Sequence, residues 1–307
     1  MTNTTKIWIP HERGSDLLGP VPEGCRVEIM PSPDELPSDP ADVVFWVPPF
    51  LAKPDVVTLA ERMPALRVVQ LMTAGADAWT GRLPSRVTLC DARGVHDSST
   101  AEWVVAAILA FLRDFPVFAR AQERGHWAYR QTGELAGKRV LIVGSGSIGR
   151  ALEARLLPFE VSVTRVARRP RPGVHGVAEL AGLLPSADIV VLLVPLTAET
   201  IRLVDKAFLG RLPDGALLVN AARGPVVDTE AIMAEVSGGR IGFAADVIDP
   251  EPLPSDHPLW RLPNVLLTPH VAGSVRGLLP RAYGLAGEQL RRFVAGAPLD
   301  NVVSDGY

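Results

Sequence analysis

The sequence is short of cysteine, of excess charge of either sign and of long apolar runs, and each shortage removes a class of protein. Its only cysteines, Cys25 and Cys90, stand far apart. They lack the paired spacing of metal ligands or of a disulfide framework, so free thiols in a reducing compartment and no metal are expected. The formal net charge is −3, which gives no overall attraction to nucleic acid or to an anionic membrane. The longest apolar run, Trp103 to Leu112, is far short of the ~20 residues of a membrane span. The opening stretch MTNTTKIWIPHERGSD carries charge and proline where a signal peptide needs a continuous apolar stretch, so a cytoplasmic protein is expected. One shortage is local. Between Glu160 and Glu179 there is no acidic residue, while VSVTRVARRPRPG (161–173) holds four arginines.

With 307 residues, 47% of them hydrophobic, the chain is globular and long enough for two domains. Short apolar runs without strict alternation suit strands buried on both faces of a parallel sheet. In the first ninety residues they are Lys6–Ile9, Arg26–Ile29, Asp42–Val47, Arg67–Leu71 and Val87–Leu89. Ser99–Asp114 reads as a helix capped by Ser99 or Thr100, with Glu102 in its first turn. Apolar almost all round, it is expected to be buried where two domains meet. A second set of strands follows: Arg139–Val143, Val161–Val166, Asp188–Val194, Ala216–Asn220, Gly242–Asp246 and Val265–Thr268. Helical segments alternate with them at Gly149–Leu156, Val177–Leu184, Thr200–Leu209 and Asp228–Glu235, and Leu278–Ala295 closes the series. This alternation predicts an α/β protein with doubly wound parallel sheets.

VLIVGSGSIGR places Gly144, Gly146 and Gly149 at G-x-G-x-x-G spacing between a strand and a helix. That context marks a dinucleotide site: a tight turn, close backbone approach to a pyrophosphate, close helix–strand packing and a helix N-terminus facing the anion. Selectivity is read about twenty residues on, where an acid would bond the ribose 2′-OH of NAD. Here stand Ala167 and, around it, Arg165, Arg168 and Arg169. Arginines offer charge-assisted contacts to a 2′-phosphate. NADP(H) is therefore the expected cofactor, through Arg168 and Arg169, with NAD(H) the alternative and a merely solvated loop the bland reading.

Three later segments hold groups with chemistry: Arg223 in VNAARGPVVD, Asp246, Asp249 and Glu251 in AADVIDPEPL, and His270 in VLLTPHVAGS. Each follows a strand, where ligands bind in open α/β sheets. Reducing a 2-oxo acid needs a cation for the carboxylate and a proton donor for the emerging alkoxide. Arg223 suits the first role and His270 the second, with Glu251 favouring the imidazolium and fixing its tautomer. Singly, an arginine there can be a surface ion pair, and a lone histidine is more often structural. Downstream of a nucleotide loop, the three together point to catalysis.

Read with TAGAD (73–77), ARGVHDSSTAEW (92–103), GKRVLIVGSGSIG (137–149), VPLTAET (194–200) and GAPLDNVV (296–303), these segments resemble the D-isomer-specific 2-hydroxyacid dehydrogenase family over nearly the whole chain. The resemblance implies a Rossmann cofactor domain (98–276) inserted in a flavodoxin-like substrate domain (1–97 and 277–307), a cleft closing by hinge motion, and a homodimer. It maps the catalytic set onto Arg223, Glu251 and His270, and the nicotinamide carboxamide acceptor onto Asp246. Ser147, Ile148 and Pro195 join the cofactor contacts, and the backbone of Thr73, Ala74 and Gly75 takes the substrate carboxylate. The implied activity is NADPH-dependent reduction of a small 2-oxo acid to the D-2-hydroxy acid. Formate dehydrogenases, which resemble the family, replace the histidine's Glu-Pro partner with glutamine, so PEP at 250–252 argues against formate. The chain is also short for the regulatory domain of some phosphoglycerate dehydrogenases.

Phe50, Met72 and the segment Asp256–Trp260 are candidate walls of a substrate pocket, and Phe50 and Met72 serve equally well as core residues. Apolar walls suit glyoxylate, hydroxypyruvate or an apolar pyruvate. The alternative function is a non-catalytic, nucleotide-sensing protein of the same fold.

Overall fold

The computed structural model describes residues 4–50 and 54–303. The chain divides into two compact units, Met1–His96 with Arg276–Tyr307, and Asp97–Val275. Each is an α/β unit built on a parallel sheet.

In the first unit, β1 (Thr5–Ile9), β2 (Cys25–Ile29), β3 (Val43–Trp46), β4 (Val68–Gln70) and β5 (Thr88–Cys90) pair in the order β2-β1-β3-β4-β5, all parallel. Successive side chains of a strand point to opposite faces. Ile7, Ile9, Phe45 and Val68 therefore enter one core with Tyr283 and Leu290, while Trp8, Trp46 and Val69 enter another with Met63 and Leu66. Helix Leu278–Val294 supplies Tyr283 and Leu290. It approaches closely enough that a Cβ on Gly287 would lie 1.9 Å from the Leu18 carbonyl oxygen. The buried Gln289 donates to the Gln70 side chain (3.1 Å) and the Asp300 carbonyl, and accepts the Asp300 amide. The segment after 276 is thus tied to strands made near the N-terminus.

The second unit contains β6 (Arg139–Val143), β7 (Ser162–Ala167), β8 (His175–Gly176), β9 (Ile189–Leu192), β10 (Leu217–Asn220), β11 (Gly242–Ala245) and β12 (Val265–Leu267). They pair in parallel in the order β12-β11-β10-β9-β6-β7-β8. The chain reverses its winding between β6 and β9, the switch point at which such sheets bind ligands. Strands β9, β10 and β11 are buried along their whole length.

Local departures from the sequence-based expectation have physical causes. The helix expected over Ser99–Asp114 runs Asp97–Leu112, and Ser99 and Thr100 are buried residues of its first turn rather than caps. Only one side is in the core (Ala101, Val104, Ala107, Ile108), while Trp103, Val105 and Leu109 are half-buried and Ala106 is exposed. Of the helix expected over Thr200–Leu209, only Lys206–Leu209 forms. The Thr200 hydroxyl turns back to the Pro195 carbonyl (2.6 Å), Arg202 takes φ 52°, and Asp205 caps a new start through the Phe208 amide. Helix Phe115–Glu123 and the two-residue β8 have too few periodic residues to show in the sequence. Among the described residues, no helix is long and apolar enough to cross a membrane, and no cluster of His, Cys, Asp and Glu could hold a metal ion.

Candidate active site

The glycine loop leaves β6 through Gly144, whose φ of 118° is a conformation only glycine adopts readily. A Cβ here would lie 2.5 Å from the Leu193 backbone, and one on Gly149 would lie 2.3 Å from the Gly144 carbonyl oxygen. A Cβ on Gly146 would meet nothing within 4 Å. Two glycines are thus filled in by protein, while the middle one faces open space. Helix Ser147–Leu156 starts at Gly146 with no side-chain cap, so its first amides remain for an anion. Ser147 and Ile148 sit in that first turn, and the Ser147 hydroxyl donates to Asp97 Oδ1 (2.9 Å). This cradle fits the pyrophosphate of a dinucleotide.

Strand β7 runs beside β6, and the Gly144 amide donates to the Val166 carbonyl (2.9 Å). The turn after Ala167 is therefore fixed next to the glycine loop. Arg168 and Arg169 are exposed on it, whereas Arg165 is committed to an ion pair with Glu153 (3.2 Å). Pro195, after β9, is half-buried, and its carbonyl is bound by Thr200.

Arg223, Glu251 and His270 lie beyond the carboxyl ends of β10, β11 and β12, which are neighbours in register (Asn220 with Ala245, Ala245 with Leu267). The buried Asn220 shapes the first loop. Its amide donates to the Arg223 and Val247 carbonyls, and its oxygen accepts the Ala222 amide. Arg223 is half-buried, with Nη1 on the Ala222 carbonyl (2.8 Å). Gly224 lets this loop touch the next, since its Cβ would fall 2.1 Å from the Ile248 carbonyl oxygen. Asp246 is 3% exposed, and its carboxylate binds three donors of the protein. It accepts the Thr268 hydroxyl (2.6 Å), the Val271 amide (2.8 Å) and the Ala272 amide (2.8 Å). His270 sits in this stapled turn at φ 55°, and its Nδ1 meets Glu251 Oε1 at 2.7 Å. The carboxylate accepts from Nδ1–H, which leaves Nε2 as the nitrogen able to exchange a proton with a ligand.

In the other unit, Thr73–Ala74–Gly75 forms a tight loop after β4. The Thr73 hydroxyl donates to the Gly75 carbonyl (2.7 Å), and the Thr73 carbonyl accepts the Ala92 amide. Met72 is 2% exposed and belongs to the core. Its carbonyl accepts from His96 Nε2 (2.9 Å), and the His96 ring stacks on Phe50 at 6.2 Å. Trp260 is half-exposed, its indole donating to the Pro254 carbonyl (2.9 Å). The sequence reading overlooked Asn220, Thr268 and Ser145. Each lies inside or beside a motif already singled out, but its role depends on backbone partners that spacing does not reveal.

A family model described as "D-isomer specific 2-hydroxyacid dehydrogenase, NAD binding domain" matches residues 105–272. A formate dehydrogenase of Arabidopsis thaliana is 32% identical over 273 residues, 82% of this chain and 71% of that one. A glyoxylate reductase of Thermofilum pendens is 39% identical over 210 residues, 64% of this chain and 62% of that one. A D-isomer specific 2-hydroxyacid dehydrogenase from Xanthobacter autotrophicus Py2, crystallised with NADPH and MES, is 32% identical. It superposes with a TM-score of 0.84, covering 98% of both chains. Family model, relatives and fold agree with the geometry of the glycine loop and the Arg–Glu–His loops: the chain is an oxidoreductase that belongs to the D-isomer specific 2-hydroxyacid dehydrogenase family.

Proposed function

We propose that this protein reduces a small 2-oxo acid of the glyoxylate or hydroxypyruvate type to the D-2-hydroxy acid, reversibly, with NADPH. The observation that carries the reading is the His270–Glu251 contact of 2.7 Å, on a turn held by Asp246 beside the loop of Arg223. Gly144, Gly146, Ser147, Ile148, Gly149 and Pro195 hold the dinucleotide, with Asp246 at the carboxamide and Arg168 and Arg169 toward a 2′-phosphate. When bound, NADPH supplies a hydride to the carbonyl carbon. Arg223 draws electron density onto the carbonyl oxygen and pairs with the carboxylate. His270 Nε2 gives its proton to that oxygen as the C–H bond forms, and Glu251 keeps the ring oriented throughout. Solvent then returns a proton to His270.

The formate dehydrogenase likeness raises a competing substrate. Converting formate to carbon dioxide breaks a C–H bond and moves no proton to or from an oxygen, so it has no use for an acid–base pair. The Glu251–His270 pair therefore favours the oxo acid, and it equally disfavours a purely nucleotide-sensing role. Support for NADPH comes from the arginines after β7 and from the Xanthobacter protein crystallised with that cofactor. The proposal includes a cytoplasmic homodimer. The exposed Trp127 (92%) and Tyr129 (86%) are surface that association would remove from water.

The test is a panel of 2-oxo acids, with formate oxidation alongside, assayed with NADPH and NADH. Turnover of glyoxylate or hydroxypyruvate with NADPH is expected. No turnover of any oxo acid with either cofactor refutes the reading.

A further inference from the structure

The four arginines of 161–173 are not equivalent. Arg165 is paired with Glu153. Arg168 acts on Glu199, whose carboxyl is held below its ordinary range chiefly by the Thr197 hydroxyl and also by the Arg168 charge. Arg169 is exposed. Arg171 differs from all three, because its side chain reaches back across the turn to the glycine loop. One terminal nitrogen, Nη2, donates to both the Ser145 carbonyl (2.7 Å) and the Ser145 hydroxyl (3.1 Å).

The backbone that aims this side chain is itself fixed. Arg171-Pro172-Gly173-Val174 is a turn with Gly173 at φ 75°, the place where a type II turn needs glycine after proline. It is closed by Val174 N to Arg171 O (2.8 Å) and Arg171 N to Val174 O (3.1 Å). The side chain is thus held at both ends, by the turn backbone and by Ser145. A guanidinium has five N–H donors. The Ser145 contacts use the two on Nη2. Nη1 makes only a long contact to the Arg169 carbonyl (3.5 Å), so Nε and Nη1 keep donors for a ligand. All three of these partners are neutral oxygens, so the positive charge is not cancelled by them. Ser145 lies between Gly144 and Gly146, which puts an oriented cation at the junction of the phosphate loop and the ribose-reading turn.

We propose that Arg171, anchored on Ser145, is the principal grip on the 2′-phosphate of NADPH, ahead of Arg168 and Arg169. This rests on the reading that the protein uses NADPH. Anchored on Ser145 before the ligand arrives, the fork loses little side-chain freedom on binding.

The test is equilibrium binding by titration calorimetry, with 2′,5′-ADP and 5′-AMP as probes. Wild type is expected to prefer 2′,5′-ADP. Arg171→Ala should weaken 2′,5′-ADP at least about tenfold, the range of hydrogen bonds to a charged group, and change 5′-AMP by less than about twofold. Arg168→Ala and Arg169→Ala should each cost less. Arg171→Lys keeps the charge without the fork and covers the case in which truncation disturbs the turn; it is expected to fall in between. If the alanine variant loses both probes in parallel, Arg171 only shapes the loop and the proposal fails. It fails equally if 2′,5′-ADP binding is unchanged. A wild type that binds both probes alike refutes the NADPH reading itself.

Discussion

His270 takes its backbone position from Asp246. The His270 amide donates to the Asp246 carbonyl (2.8 Å), and the Asp246 carboxylate binds the amides of the next two residues, Val271 and Ala272. The aspartate at the end of one strand thus builds the turn that presents the histidine after the next. Asp246→Ala should strip partners from two amides and the Thr268 hydroxyl, at about 1–3 kcal/mol for each donor left unsatisfied. The expected result is a clear fall in Tm together with loss of turnover. Thr268→Val, which removes one of the three, should cost less, about 1.5–3 kcal/mol. Thermal unfolding of the two variants measures the difference.

In the proposed reaction, reduction consumes a proton at Nε2 of His270, and oxidation returns one. Ketone reduction should therefore slow toward alkaline pH, and alcohol oxidation toward acid. His270→Gln should flatten both profiles and lower kcat by about 10²–10⁴-fold, the range of general acid–base catalysis. Glu251→Gln should keep the fold, since the Glu251 side chain is 42% exposed, yet lower kcat more than it raises KM. Steady-state rates across pH check this, and a pH profile unchanged in His270→Gln removes the histidine from the proton transfer.

The glycines of the loop should separate stability from binding. Gly149→Ala drives a Cβ into the Gly144 carbonyl and is expected to lower Tm. Gly146→Ala meets open space, so Tm should hold while dinucleotide affinity falls. Melting curves beside NADPH titrations distinguish the two.

Cys90 should be inert. Burial pushes its thiol up to about 12, and the nearby Asp91 and Asp300 add to the effect, so almost no thiolate exists at neutral pH. Alkylation at pH 8 followed by peptide mass mapping should leave Cys90 unmodified in the native protein and modify it after denaturation.

Arg139 closes the start of β6 on Asp188 through its side chain and its amide, and the Arg139 side chain chiefly holds the Asp188 carboxyl below the usual range. A carboxyl depressed in the folded state adds stability above its unfolded pKa, and that stability is lost as pH falls through the lower, folded value. The stability gap between wild type and Asp188→Asn should accordingly be widest at neutral pH and close in acid. Denaturant midpoints at a series of pH values measure it.

The fold class was legible because the strands are continuous apolar runs punctuated by glycine, and the glycine loop sits between a strand and a helix. The candidate side chains were legible as a set because arginine, glutamate and histidine each follow one of three successive strands, and the structure brings Glu251 and His270 into contact at 2.7 Å. What holds them was not. Asn220 and Asp246 act by bonding main-chain atoms of other loops, and a sequence does not show which amides those are. The helix expected over Thr200–Leu209 failed for a similar reason, as Thr200 and Asp205 prefer local backbone partners to continuing a helix. The longer helix after Asp97 was legible in extent but not in burial, because an apolar residue reads alike whether the protein covers it or leaves it half-exposed.

The tie between residues after 276 and the strands near the N-terminus has a consequence for synthesis. A ribosome that has released residues through Val275 has delivered every strand and loop of the second unit. The first unit, begun earlier, still lacks Tyr283, Gln289 and Leu290, so the core on one face of its sheet, where Leu18 and Val95 also pack, is missing its long helix. Domains emerging from the ribosome fold as units. Here the order of completion runs against the order of translation, and the half that is started first has to be kept from aggregating until Leu278–Val294 emerges.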